Sequence, residues 1–424
     1  MQLNIPYGNS VQAVFDIPDK NYYGMLEPVS VMPAIDSVQE IESAIDNPIG
    51  CPSLKDIVKF DRRVNIICDD ISRPTPVHII LPVLIRKLKE IGVSDGNIKI
   101  VMALGSHRYM TQDEMQQRVG DDIYKKYRVV NSEFKKEENL VNLGTTPDGV
   151  EIFSSKEAMD CDIRIGIGNI VPHPVMGWSG GGKILFPGVT GEKTVGQFHM
   201  KGGLADINLF GMEDCPIRLS MEDWVDTIGL HFIINTVLTP ELEVYRVVAG
   251  HYVKAQRQGV KYAKIALGCK IEKKVDIVVV SSFPSDSDFW QSAKGMCSAE
   301  HALKDGTGTI ILVTPNYEGM GPHDEYPKFF GMDNAAEELS RLYRGEYIDG
   351  DPLALAVGTS MSKMRRRVNL VMVTDGVSKE ETDVCKIKHY PLCQLQQAID
   401  DAMAKYENSS VAVVSHGSEL FIYG

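Results

Sequence analysis

The chain has no pair of cysteines at the CxxC spacing. Its eight cysteines stand at 51, 68, 161, 215, 269, 297, 385 and 393. That scatter indicates neither a structural zinc site nor a disulfide framework, and it suits reduced, mostly buried small apolar side chains. Basic residues are also in short supply: 44 Lys and Arg against 57 Asp and Glu give a net charge of −13. Such a balance repels a phosphate backbone and sets nucleic acid aside as a partner. Apolar runs are brief, since Val275–Val280 is interrupted by Asp276 and Val368–Val373 by Asn369. Both fall far short of the ~20 residues that a bilayer span needs, so no membrane segment is expected. Met1–Ser10 lacks the basic head and apolar run of a secretory signal, which makes the cytosol the expected compartment. Internal repeats and low-complexity stretches are absent.

What is present is ample core. Over 424 residues, 43% are hydrophobic, enough for two domains of unequal size. Short apolar runs alternate with amphipathic stretches. Arg63–Cys68, Ile98–Leu104 and Asp162–Val171 read as buried strands, and Val77–Ile91 and Gln112–Val119 as helices. Pro76 suits a helix start and Gly92 a C-cap, whereas Pro82 predicts a kink or a later start. The rhythm restarts after Ile271, with strands at Val275–Val280, Thr309–Val313, Val368–Val373 and Val411–Val414 and helices at Phe289–Leu303, up to about Lys363, and Leu392–Lys405. The expected fold class is therefore α/β: two α/β domains with largely parallel sheets and a cleft between them. Residues 1–268 form the expected first domain and 269–424 the second, with the amphipathic stretch His251–Gly268 linking them.

Three segments gather chemistry-bearing residues at the ends of expected strands, where open α/β sheets bind ligands. Asp69-Asp70-Ile71-Ser72-Arg73-Pro74-Thr75-Pro76 leads into a helix. Ser72, Thr75 and the free N–H groups there suit a phosphate, and the Arg73 guanidinium suits a carboxylate; a solvated cap with an Asp–Arg pair is the bland alternative. Gly105-Ser106-His107-Arg108 follows the next strand, with Thr111 and Glu114 at capping-box spacing. Asn169-Ile170-Val171-Pro172-His173-Pro174 fixes a second histidine between prolines. Two imidazoles on separate strand ends could move protons on opposite faces of one carbon, and each alone could equally be a structural histidine.

Gly177-Trp178-Ser179-Gly180-Gly181-Gly182-Lys183-Ile184 begins like a P-loop, but Ile184 stands where Ser or Thr must hold magnesium. Gly166-Ile167-Gly168 fails as a dinucleotide fingerprint, because Val171 replaces the third glycine. Lys183, among glycines and apolar Ile184, Leu185 and Phe186, is placed to be desolvated and nucleophilic. His199 offers one nitrogen ligand, and no cysteine or carboxylate cluster nearby completes a metal site. Farther on, Gln291 and Lys294 sit three apart in Phe289-Trp290-Gln291-Ser292-Ala293-Lys294-Gly295, on one face of a helix start.

Taken together, and in this order, the segments DDISRPTP, GSHR, NIVPHPV, GWSGGGKILFPG, QFH and WQSAKG resemble the lactate racemase family, the nickel-pincer nucleotide-dependent 2-hydroxy acid racemases and epimerases. The resemblance covers about residues 60–300 by motif. It implies a pyridinium-derived mononucleotide that binds nickel through two sulfur groups and a ring carbon, tethered to Lys183, with Ser72, Thr75, Gly181 and Gly182 around it and His199 as the protein's ligand to the metal. It further implies His107 and His173 as the proton-transfer pair, Asp70 and Arg73 beside the reacting centre, and Gln291 and Lys294 near the substrate carboxylate. Cofactor-synthesis enzymes are the implied partners and a small 2-hydroxy acid the implied substrate. Trp290 stands where lactate racemase has Tyr, which reshapes one wall and leaves larger hydroxy acids open. Two other readings of Lys183 remain at this point: a Schiff-base lyase or aldolase, and a small-anion binding protein without catalysis.

Overall fold

The computed structural model describes residues 1–424 except Ser106. Two six-stranded sheets organise it. The first runs in the order Val244–Gly250, Phe232–Leu238, Ile163–Asn169, Val64–Asp69, Ile98–Ala103, Arg128–Asn131, parallel throughout except for the antiparallel pairing of Phe232–Leu238 with Val244–Gly250. The second is wholly parallel: Lys388–Tyr390, Asn369–Val373, Thr309–Val313, Ile277–Ser281, Val411–Val414, Tyr22–Leu26. The α/β architecture with largely parallel sheets thus stands as expected from the alternation of apolar runs.

The central strands are apolar on both faces because helices cover both. In Val64–Asp69, residues Val64, Ile66 and Cys68 pack beneath helix Val77–Ile91, while Ile67 faces Trp178, Ile184 and Phe186 of the glycine-rich loop. In Ile277–Ser281, Val278 and Val280 join the helical layer of Phe289, Phe329 and Leu355, and Ile277 and Val279 face the other way. Helix Val77–Ile91 runs unbroken through Pro82 and closes on Gly92 in the left-handed conformation at φ +98°. The helix thus begins before Pro82 and continues past it, and Pro82 and His78, whose carbonyl loses its partner, both lie on the exposed face where water can serve it.

Of residues 1–268, the N-terminal segment lies apart from the rest. Tyr22–Leu26 pairs with Val411–Val414, and the hairpin Gln2–Tyr7 with Val11–Asp16 buries Ile5, Tyr7, Ala13 and Phe15 against Ile277, Val279, Ile311 and Leu395. A strand whose partner lies nearly 400 positions away carries no local signal of where it will pair. The stretch His251–Gly268 is mostly the helix Lys254–Leu267, and its buried residues join the core under the first sheet. After this helix the chain passes to the second sheet's side through the strand Gly268–Lys270, which pairs with Phe421–Tyr423. Every cysteine is a free thiol, Cys393 being exposed, and no helix among the described residues is long and apolar enough to cross a membrane.

In the first sheet, chain order reverses between Val64–Asp69 and Ile163–Asn169, so the loops after these strands diverge and leave a crevice at Asp69 and Asn169. The second sheet, at the end of Ile277–Ser281, sends a loop to Trp290, Gln291 and Lys294. Ile5→Ala is expected to cost about 2–5 kcal/mol, the range for truncating a fully buried aliphatic side chain. Its effect should fall on the second sheet: hydrogen exchange in Ile277–Ser281 should accelerate well before that in Val64–Asp69.

Candidate functional site

A cavity of about 150 Å³ lies where the two sheets' loops meet, lined among others by Asp70, Arg73, His107, His173, Lys183, His199, Gln291 and Lys294. Segments more than 200 residues apart in sequence supply these side chains. Trp290 lines it as well.

The loop after Val64–Asp69 is tied down from below. Arg118, itself buried, donates to the backbone carbonyls of Asp69, Arg73 and Thr75 at 3.1, 2.8 and 2.9 Å and pairs with the Asp69 carboxylate. Thr75 donates to Asp69 Oδ2 at 2.5 Å. Thr75 is therefore engaged inside the loop and does not line the cavity. Ser72 also stays off the lining, donating to Asp70 Oδ1 at 2.5 Å and lying 3.1 Å from His107 Nδ1.

Hydrogen bonding fixes the protonation pattern of the first imidazole. Gln291 Oε1 accepts from Lys294 Nζ at 2.6 Å and from Arg73 Nη1 at 3.2 Å, so the other end of this carboxamide is its NH₂ group. That group lies 3.0 Å from His107 Nε2, which must accept. The proton of neutral His107 is then on Nδ1, donated to Asp70 Oδ2 at 2.5 Å. A carboxylate that holds the tautomer and aims the free ring nitrogen is the arrangement a general base requires. Burial lowers the His107 pKa, and the Arg73 and Lys294 charges add to this against the opposing pull of Asp70. Burial pushes Asp70 upward, but His107, Arg73 and Ser72 together bring it below the usual carboxylate range.

The second imidazole has the opposite tautomer. His173 Nδ1 accepts from the backbone N–H groups of Val175 and Met176 at 3.1 and 3.2 Å, which leaves the proton of the neutral ring on Nε2. Burial holds its pKa well below the ordinary value, aided by the Lys183, Lys294 and Arg73 charges. Its loop is fastened by Arg218, which is 1% exposed and donates to the carbonyls of Met176 at 3.1 Å and of Trp178.

Lys183 sits in a 3₁₀ turn, Gly181–Ile184. Gly181 has φ +62°, and a Cβ there would come within 2.7 Å of the Tyr252 carbonyl; a Cβ on Gly182 would crowd Val225 and Met221. Both glycines thus let the turn sit against neighbouring helices, and neither lines the cavity. Burial lowers the Lys183 pKa to about 7, with the Arg73 and Arg218 charges acting the same way. His199 projects from helix Glu192–Leu204 and donates Nδ1–H to the Val195 carbonyl at 2.8 Å, leaving Nε2 bare. Burial lowers its pKa to about 4, so it is a neutral imidazole of the kind that ligates metals. Burial likewise holds Lys294 well below an ordinary lysine, reinforced by Arg73 and Lys183.

Helix Phe289–Leu303 was expected to be continuous. It breaks at Ala293 into Phe289–Ser292 and Lys294–Glu300, yet Gln291 and Lys294 still meet through their side chains. Sequence reasoning gave no role to several lining residues, three of which carry polar groups central to the site. Asn169, 4% exposed, has neither carboxamide atom bonded, and the hydroxyl of fully buried Tyr326 has no partner. Asp69 is the third. Asn169 was inside a motif already singled out, whereas nothing near Tyr326 in sequence marked it.

Comparison with known proteins places the chain in a family. Residues 7–208 match the model of the lactate racemase N-terminal domain and residues 270–422 that of the lactate racemase C-terminal domain. The chain is 32% identical to a lactate racemase of Thermoanaerobacterium thermosaccharolyticum over 348 residues and 30% identical to one of Lactiplantibacillus plantarum over 347, covering 80% of each chain in both cases. The lactate racemase apoprotein structure from T. thermosaccharolyticum superposes with a TM-score of 0.88 at 26% identity over all of both chains. A crystal structure of a Thermotoga maritima protein shares the fold, with a TM-score of 0.71 at 19% identity over 93% of this chain and 100% of that one. With both domain models matched in order across most of its length, the chain belongs to the lactate racemase family.

Proposed function

We propose that this protein interconverts the enantiomers of a 2-hydroxy acid, lactate or a larger relative, in the cavity between its two sheets, as a cytosolic isomerase. The observation that carries the reading is a carboxylate-oriented imidazole, His107, bonded through Gln291 to Arg73 and Lys294 in the same cavity as His173, Lys183 and His199.

The electrostatics favour an anion. Lys183 and Lys294 are depressed by burial, by Arg73 and, for Lys294, by Lys183; a carboxylate brought among these groups would relieve the repulsion and recharge Lys294. Arg73 Nη2 and Nε make no hydrogen bond to a described residue, so the guanidinium edge is available to a carboxylate. The substrate hydroxyl takes the place of the Gln291 amide at His107 Nε2 and gives up its proton there. His173 presents the complementary group, an Nε2–H donor for the substrate oxygen in its other orientation, as a general acid does. A planar 2-keto acid held by its carboxylate can turn its acyl group between these two imidazoles, and either hand of product then forms.

The residues present fit the nickel-pincer nucleotide that the family resemblance implies. Lys183 offers an amine for a thioamide tether, His199 offers a neutral nitrogen, and the unbonded Asn169 carboxamide offers a donor and an acceptor. Among the described residues no three His, Cys, Asp or Glu side chains come together as a metal site, so other donors to nickel would have to come from the nucleotide. When bound, the group supplies an electrophilic carbon that can take up the C2 hydride and give it back. A Schiff-base lyase also needs an amine unprotonated near neutrality, but it has no use for the bare His199 nitrogen.

The decisive experiment is chiral chromatography of single enantiomers of lactate and larger 2-hydroxy acids, using protein produced alongside cofactor-synthesis enzymes. Loss of optical purity, with a mass increase on the Lys183 peptide, is expected; a borohydride-trapped imine with a carbonyl substrate would instead establish the lyase. His107→Gln should lower turnover by about 10²–10⁴-fold, and His173→Gln, which keeps an N–H donor, by less. Because the folded pKa of His107 lies below 6.5, its basic form prevails at neutrality and the acid limb of turnover should fall below pH 6.5. In cofactor-free protein, acylation of Lys183 should rise with pH through about 7 and then level off, whereas a solvated lysine would keep gaining reactivity to about pH 10.4.

A further inference from the structure

Tyr326 has no task in the chemistry proposed above. Its ring is fully buried and lines the cavity, and its hydroxyl has no partner in the protein. Buried hydroxyls are ordinarily bonded, and leaving one bare is costly unless a ligand supplies the partner. The ring is held in place. It meets Trp290 edge-on at 4.9 Å and Phe330 at 5.8 Å. Trp290 in turn packs at a tilt, 4.4 Å between ring centres, on His323, whose Nδ1 bonds Asp351 Oδ2 at 2.7 Å. Asp351 caps helix Pro352–Arg367, which adds Ala356, Val357, Ser360 and Met361 to the lining. Apart from Lys294, the groups that the second sheet's body contributes to the cavity are uncharged.

Lactate ends in a methyl group, which cannot satisfy a phenol. A second carboxylate beside Tyr326 would be desolvated, and these helices bring no guanidinium to the cavity lining to meet it. A neutral oxygen fits. Burial raises the phenol pKa well above its ordinary value, so the group remains a donor throughout the working pH range.

We propose that Tyr326 is a specificity-determining residue whose hydroxyl donates to an uncharged oxygen on the substrate's side chain, so that the preferred 2-hydroxy acid carries a second hydroxyl at C3 or C4. This assignment rests on the racemase reading and names its substrate class.

The test compares hydroxylated acids with isosteres that have a methyl in place of the second hydroxyl: 2,3-dihydroxypropanoate against 2-hydroxybutyrate, and 2,4-dihydroxybutyrate against 2-hydroxyvalerate, with malate as the charged control. Calorimetric binding and kcat/KM are both measured on the loaded enzyme. At one chain length or the other, the hydroxylated acid should bind and turn over at least tenfold better than its isostere and better than malate, and Tyr326→Phe should bring that ratio close to one. The ligand-free variant should melt at or above the wild-type Tm, since an unpaired buried hydroxyl has been removed. A wild-type preference for the methyl isosteres or for malate overturns the assignment without recourse to any variant, as does a Tyr326→Phe effect equal on both members of a pair. Tight, hydroxyl-dependent binding without racemisation of any acid would sink the racemase reading and leave the Tyr326 assignment standing. Racemisation with no hydroxyl preference would do the reverse.

Discussion

The hydrogen bond from His107 Nδ1 to Asp70 Oδ2, 2.5 Å long, sets the protonation pattern on which the site depends. It decides which ring nitrogen is free, and so which way the Gln291 carboxamide must face, and hence that Gln291 Oε1 rather than its NH₂ receives Arg73 and Lys294. One carboxylate thereby orders a chain of four side chains from both sheets. Removing its charge would leave His107 free to take the other tautomer, with its lone pair turned from the cavity. The Arg118 fan beneath the loop exists for the same end, since it fixes the backbone that carries Asp70 and Arg73.

A second constraint is the collection of cations in a space with little water. The Arg73 charge depresses the protonation of both Lys183 and Lys294, and Lys183 adds to the effect on Lys294, while Asp69 and Asp70 are already committed to Arg118 and His107. Glu419 offsets the excess only in part at neutrality, because burial raises its pKa to about 7 against the pull of Lys294 and Arg73. The cavity therefore favours an anionic occupant before any particular contact is made. The same environment makes the Lys183 amine reactive and the His199 imidazole neutral.

Much of this was legible from residue order. Buried parallel strands are apolar on both faces, so Val64–Asp69, Ile98–Ala103, Thr309–Val313 and Val411–Val414 stood out as short apolar runs. The capping box at Thr111 and Glu114 and the C-cap at Gly92 follow from local backbone chemistry and form as read. Helix Val77–Ile91 survived Pro82 because solvent could serve the freed carbonyl. The N-terminal hairpin and Tyr22–Leu26 could not be assigned from their own residues, since their partners at 277–281 and 411–414 are distant in the chain. The family resemblance sets Gly181 and Gly182 around the cofactor; their close neighbours in the structure are residues behind the turn, Tyr252 and Gln256 for the first and Val225 and Met221 for the second.

The sequence by itself determined the alternation of elements, the presence of two histidines, a lysine among glycines and an arginine at strand ends, and the family to which they point. Those features are local, or are carried by residue type and order. Tertiary structure alone decided that the segments converge on one cavity, which nitrogen of each imidazole carries the proton, that Ser72 and Thr75 face inward to their own loop, and that Asn169 and Tyr326 are left without partners. Each of these depends on distances between residues far apart in the chain and on what remains unsatisfied after packing, quantities that no stretch of residues contains on its own.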